Sequence, residues 1–202
     1  MTLTSSHYAM AAFALAASIS PGPVNILLLR EGATAGYGRG LQAAAGATVS
    51  FVVLLVLCGL LTRQVVEVLP WLNIVLHWGG VAFLTWMAWQ LLRDTGSVPR
   101  DDAAGHRNRM LQTAALQWVN PKAWIAAVAG MGLFAAGGQV TAIAEFAAIY
   151  FGVCLVSMSL WAIAGAWLAG RLTDARHLRR LNRVLAVLLA LTAASMVLTG
   201  TR

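Results

Sequence analysis

Phe13-Ala14-Leu15-Ala16-Ala17-Ser18-Ile19-Ser20-Pro21-Gly22-Pro23-Val24-Asn25-Ile26-Leu27-Leu28-Leu29 decides the fold. With the residues before it, from 8 to 29, it is apolar and long enough to cross a hydrocarbon layer of about 30 Å as a helix. Yet Ser20-Pro21-Gly22-Pro23 breaks that helix in its middle, because proline donates no backbone hydrogen bond and its ring crowds the carbonyl four residues back. Pro21 frees the carbonyl of Ala17 and Pro23 that of Ile19. In lipid, such groups persist only where protein buries them or a cavity reaches them. A spanning helix broken at this depth therefore marks a candidate site.

Working outward, further apolar runs lie at roughly 40–62, 69–92, 110–135, 140–168 and 181–199, giving six expected spans. The whole chain of 202 residues is 59% hydrophobic and 10% charged, with a mean hydropathy of +0.74. A soluble domain is about 25% charged, so a membrane protein is the expectation, as a single transporter domain over 1–202. Residues 8–19 are not read as a cleaved leader, since no Lys or Arg precedes them and the apolar pattern continues to Leu29.

The net charge of +7 and pI near 10.7 reflect topology rather than a nucleic-acid partner. Arg30, Arg39, Arg93, Arg100, Arg107, Arg109, Arg171, Arg176, Arg179, Arg180 and Arg183 fall in one set of connections, and only Arg63 and Arg202 in the other. The positive-inside rule then puts the polar loop 94–109 in the cytoplasm and both termini in the periplasm. Trp71, Trp89 and Trp167 sit near expected helix ends, as an interfacial aromatic belt requires.

That loop divides the chain into a first repeat, about 8–93, and a second, about 110–199. Three helices per half force the halves to enter the membrane in opposite senses. The second break, Asn120-Pro121-Lys122, opens the fourth helix as the first break opens the first. Paired broken helices in inverted halves point to a transporter site. Restarted helices offer unpaired N–H groups and a positive dipole end at Gly22, Val24 and Asn25, suited to a carboxylate. Freed carbonyls suit an ammonium, and Gly22 allows close approach to the backbone. The pattern is matched to a zwitterion, with Ser20, Pro21, Gly22, Pro23, Asn25, Asn120, Pro121 and Lys122 as candidate substrate-binding residues.

Lys122 is the one cation placed well inside an expected span, where insertion costs about 2.5–3.5 kcal/mol. It either binds or gates at the site, or snorkels to the headgroups. Asn25 and Asn120 either touch the ligand or bridge broken backbone. Glu145, the only carboxylate within an apolar run, reads as interfacial, with proton coupling the alternative. Cys58 and Cys154 read as small buried hydrophobes. The stripe Gly32, Gly36, Gly40, Ala44, Thr48 allows close helix approach, its first part read as a loop. Gly36-Tyr37-Gly38-Arg39-Gly40 lacks the features of a phosphate loop. No spacing suits a metal, no catalytic triad assembles, and no cofactor is expected.

With these motifs in view, the chain resembles the lysine exporter/homoserine–threonine exporter (LysE/RhtB) family over nearly its whole length. The resemblance rests on Ser20-Pro21-Gly22-Pro23-Val24-Asn25, Ala45-Gly46, Trp78-Gly79-Gly80-Val81-Ala82-Phe83-Leu84 and Val119-Asn120-Pro121-Lys122-Ala123. Within the family it looks most similar to the cysteine/O-acetylserine exporter branch. The stretches that carry this likeness include Leu57-Cys58-Gly59, Leu116-Gln117-Trp118-Val119-Asn120, Trp161-Ala162-Ile163-Ala164-Gly165 and Leu181-Asn182-Arg183-Val184-Leu185-Ala186. Many members carry an acidic residue or His where Phe51 stands, and Phe134 lacks the common Pro-Gln-Phe nearby.

The resemblance implies efflux of an amino acid across a bacterial inner membrane, driven by the proton gradient. Without a well-placed carboxylate, the expected cargo is a small neutral amino acid such as cysteine or O-acetylserine. The alternatives are homoserine/threonine or lysine export, a membrane-embedded enzyme, a passive channel or an assembly factor. The expected partners are the small-molecule amino acid and membrane lipid, with proton coupling and a homodimer left open.

Overall fold

The computed structural model describes residues 3–61, 103–169 and 175–199, and within the third expected span the helical positions 74, 78–79, 81–82, 84–86 and 88–93. All regular structure among them is helical: α1 Leu3–Ile19, α2 Pro23–Ala35, α3 Tyr37–Leu60, α4 Ala103–Val119, α5 Pro121–Phe134, α6 Val140–Ala169 and α7 Ala175–Thr199. Both prolines that open a restarted helix, Pro23 and Pro121, sit at its first turn. There the missing N–H costs nothing and the fixed φ suits the helix.

The chain turns by 64° between α1 and α2. Among the described residues, α3 and α6 are each long and apolar enough to cross a membrane, and the bent α1–α2 pair, counted as one broken span, would be a third. The first expected span, 8–29, is in the structure the longer stretch 3–35. The fourth, 110–135, is α4 and α5 on either side of Asn120. Most of the expected third span and residues 94–102 of the expected loop lie outside the described residues.

Two boundaries differ from expectation. Residues 103–109, expected in the loop, are already the start of α4, because no proline or glycine pair stands between Pro99 and Ala103 to stop a helix beginning there. Gly32, expected in a loop, is inside α2. Only Gly36 separates α2 from α3, and its φ of +85° is the left-handed backbone that lets the chain turn at a single residue.

The physical reason that α2 is helical through this region is its packing on α6. A Cβ on Gly32 would lie 1.9 Å from the carbonyl oxygen of Ala162, and one on Gly165 1.9 Å from that of Leu29. The two backbones thus touch, as small residues permit. Further along the same stripe, Ala44 and Thr48 of α3 are fully buried. α6 is the central helix, packed against α1, α2 and α3, while α3 also packs on α4 and α5.

Between α3 and α4 runs a polar seam. Gln117 donates to the Ala47 carbonyl at 3.2 Å and Ser50 to that of Ala114 at 2.7 Å, while Thr113, which donates to Met110 O of its own helix at 2.9 Å, lies 3.4 Å from the Ala43 carbonyl. Such bonds join helices that the hydrophobic effect cannot drive together in lipid. The main core combines Leu28, Leu54, Leu55, Met131, Phe146 and Tyr150; a second cluster joins Ile26 to Leu84, Ala88 and Leu91 and to Leu185, Ala186 and Leu189 of α7. Outside, α3 shows Val49, Val53, Leu57 and Leu60 on one face, a stripe that a helix in water would turn inward.

Candidate substrate site between the two broken helices

At the first break every carbonyl from Ala17 to Pro21 has a donor. The Ala17 oxygen, freed by Pro21, accepts from Ser20 Oγ at 3.3 Å. That of Ile19, freed by Pro23, accepts from the indole N–H of Trp161 on α6 at 3.1 Å. Asn25 Nδ2 reaches back to the carbonyls of Ser18, at 2.8 Å, and Ser20, at 2.9 Å. The last donor comes from the other break. Lys122 Nζ donates to Ser20 O at 2.7 Å, to Ser20 Oγ at 2.8 Å and, at longer range, to Pro21 O at 3.5 Å. At membrane depth such bonds decide whether a bend can exist at all.

At the second break Asn120 caps α5: its side chain accepts from the backbone N–H of Lys122 at 3.2 Å. The Trp118 carbonyl accepts from Trp124 Nε1 at 2.8 Å. Both asparagines are therefore engaged in bridging broken backbone through the atoms described.

Between the breaks lies a cavity of about 40 Å³. Of the expected site residues, Gly22, Asn25, Asn120 and Lys122 line it; Ser20 and Pro21 are not in the lining and bear on it only by holding Lys122, while Pro23 and Pro121 serve as helix starts. Val24 joins Gly22 and Asn25, so the first turn of α2 faces the cavity. No carboxylate stands among the lining residues described.

Sequence reasoning missed the far wall: Phe51, Gln117, Tyr150, Cys154 and Met158 also line the cavity. Phe51 stacks on Tyr150 with ring centroids 4.7 Å apart. The ring contacts continue through Phe146 to Phe134, which ends α5, and to Phe13 of α1. Period and composition mark these residues as core and carry no signal that a cavity adjoins them. One signal is present in the sequence: Phe51 departs from the family pattern at its position. Cys58 and Cys154 are buried and in no disulfide, and no metal-holding cluster exists among the described residues. Cys154 adds a cavity-facing thiol to its packing role.

Glu145 lies near the start of α6, half-exposed, and pairs with His7 of α1. It is not among the residues that line the cavity.

Comparison with known proteins now meets this geometry. The sequence profile described as LysE type translocator matches residues 15–200. The chain belongs to the LysE-type translocator family. It is 30% identical over 193 residues to a cysteine/O-acetylserine efflux protein of Klebsiella pneumoniae, covering 92% of this chain and 93% of that one. To proteins of the same description from Escherichia coli O157:H7 and strain K12 it is 28% and 27% identical, covering 88% and 90% of this chain and 90% and 92% of theirs. No solved structure matches it. As a LysE-type translocator the protein is a multi-pass inner-membrane carrier acting in amino-acid efflux, and not an enzyme.

Proposed function

We propose that this translocator is a secondary-active exporter of small neutral amino acids, with cysteine and O-acetylserine as the leading cargo, working by alternating access around the cavity between the two breaks. The single observation behind this reading is that Lys122, from one break, is seated on the backbone oxygens of the other. A link of that kind joins two broken helices at one point, as a midplane site requires. The first turn of α2 would hold the substrate carboxylate. Oxygens around Ser20, with Asn25 and Asn120, would hold the amine.

In this reading the six spans form two inverted three-helix halves, the 94–109 loop is cytoplasmic, and both termini are periplasmic. Efflux proteins at 27–30% identity support the substrate class. The cavity's chemistry favours neutral over cationic cargo: Lys122 already supplies one positive charge, and a lysine cargo would find no carboxylate among the lining residues described. At about 40 Å³ the cavity holds only a few water molecules. Loading an amino acid therefore requires the cavity to widen.

The test is efflux from liposomes reconstituted with the full chain, over a panel of amino acids, with and without an imposed pH gradient. Saturable efflux of cysteine or O-acetylserine that rises with the gradient is expected. Equal flux of lysine, or flux that neither saturates nor responds to the gradient, would refute the reading.

A further inference from the structure

We propose that Lys122 Nζ occupies, in this conformation, the seat of the substrate's own ammonium group, so that the substrate loads by displacing it. The proposal rests on reading the cavity as the amino-acid site, and it adds to that reading how the site is kept shut and which molecules can open it.

The seat is defined by its oxygens. Ser20 O, Ser20 Oγ and Pro21 O converge on one nitrogen at 2.7, 2.8 and 3.5 Å. A primary ammonium carries three donors and no acceptor, so three neutral oxygens fit it and would fit another of its kind equally well. With no carboxylate among the lining residues described, the positive charge is held by dipoles alone and is not locked in an ion pair.

The stem of the same side chain covers the rest of the site. A Cβ added at Gly22 would come within 3.2 Å of Lys122 Nζ and 3.4 Å of its Cδ. The lysine therefore lies against Gly22 at the entry to α2, whose first-turn N–H groups suit a carboxylate. Gly22, whose φ of −166° any residue could adopt, is needed for the space it leaves rather than for its backbone. One flexible side chain thus blocks both ends of a zwitterion's binding place, in a cavity that has no room for an amino acid until something moves.

Exchange keeps the charge count constant. An incoming zwitterion places its ammonium on the Ser20 and Pro21 oxygens, and the released Lys122 ammonium pairs with its carboxylate. An N-acylated amino acid has no ammonium to offer and cannot take the seat. Because Lys122 is the tie between the α1–α2 break and α5, its release also unfastens the two breaks from each other.

Lys122 is the only lysine in the chain, so protein grown with lysine labelled with nitrogen-15 at Nζ gives a single side-chain ammonium signal. In the purified full-length protein, that signal is expected to shift on adding cysteine, O-acetylserine or methylammonium, and to stay fixed with N-acetylserine. A signal unmoved by methylammonium, or moved equally by N-acetylserine, overturns the proposal. Lys122→Met should empty the seat, so that methylammonium stabilises the variant against heat at a concentration at least tenfold lower than in the unaltered protein. Ser20→Ala in that background should reverse the gain, and equal responses count against the seat. If Lys122→Met does not fold, the signal in the unaltered protein decides alone. Liposome flux keeps the two readings apart. Export with a fixed Nζ signal removes the seat and leaves the exporter; displacement by methylammonium without amino-acid flux does the opposite.

Discussion

Asn25 illustrates how a single side chain makes a broken helix possible. Its Nδ2 serves the carbonyls of Ser18 and Ser20 together, and the side chain is buried. Asn25→Ala strands the Ser18 oxygen and leaves Ser20 to Lys122 alone. Because an unsatisfied buried acceptor costs about 1–3 kcal/mol, this variant is expected to unfold at a visibly lower temperature in detergent. Asn25→Asp should be at least as damaging, since it replaces a donor with acceptors facing acceptors. Trp161→Phe, which keeps the ring but drops the N–H bonded to Ile19 O, should cost about 1 kcal/mol. Thermal unfolding monitored by circular dichroism measures all three. The prolines themselves say which carbonyls are freed, and Ala17 and Ile19 are readable from position alone. Their donors are not equally readable. Ser20 is adjacent, but Trp161 lies 142 positions along the chain from Ile19, and no local pattern pairs the two.

Helices meet according to what their smallest residues allow. The four-residue spacing of Gly32, Gly36, Gly40, Ala44 and Thr48 was visible in the sequence. Its opposing face on α6, at Ala162 and Gly165, was not, because an apolar helix in lipid shows no polar side to mark its orientation. Gly165→Val would drive a branched side chain into the Leu29 carbonyl, where even a Cβ comes to 1.9 Å. The backbones must separate, at a cost of about 3 kcal/mol or more, and we expect little folded protein in membranes by detergent extraction and gel filtration. Gly132→Ala, at a position with nothing within 4 Å, is the matched control and should extract normally. α7 offers a different kind of strain. Asn182 is 1% exposed, and neither end of its amide has a hydrogen-bond partner among the described residues. Asn182→Leu should therefore stabilise this conformation by about 1–3 kcal/mol. If the amide finds its partners in another conformation of the transport cycle, the same variant will bind substrate yet export more slowly. Unchanged stability and unchanged flux would show that the amide plays no such part.

At the scale of the whole molecule, the direction of transport depends on which way each half faces. Hydropathy and prolines made the two breaks legible, and the charge bias suggested an orientation. The meeting of the breaks through Lys122 was not legible, since helix order in sequence does not state which broken ends converge. The aromatic rings of Phe51, Tyr150, Phe146, Phe134 and Phe13 lead from the cavity toward the 135–139 turn. In the proposed topology that turn is periplasmic, and we expect the rings to close the exit there. Orientation and closure can be tested together, in a background where Cys58 and Cys154 are replaced by alanine. Gly137→Cys should react with a membrane-impermeant maleimide added to intact cells, whereas Ser97→Cys should react only in inside-out vesicles. The reverse pattern would invert the topology and make the same rings an entry gate. A thiol restored at Cys154, on the cavity wall, should resist the reagent from the periplasmic side. Phe134→Ala combined with Phe13→Ala should open that route, because two large rings leave the stack while Phe51 and Tyr150 keep the cavity wall intact. Faster labelling of Cys154 from outside in this variant, at unchanged labelling of Gly137→Cys, is the expected result; equal rates would mean that the exit is closed by something other than the rings.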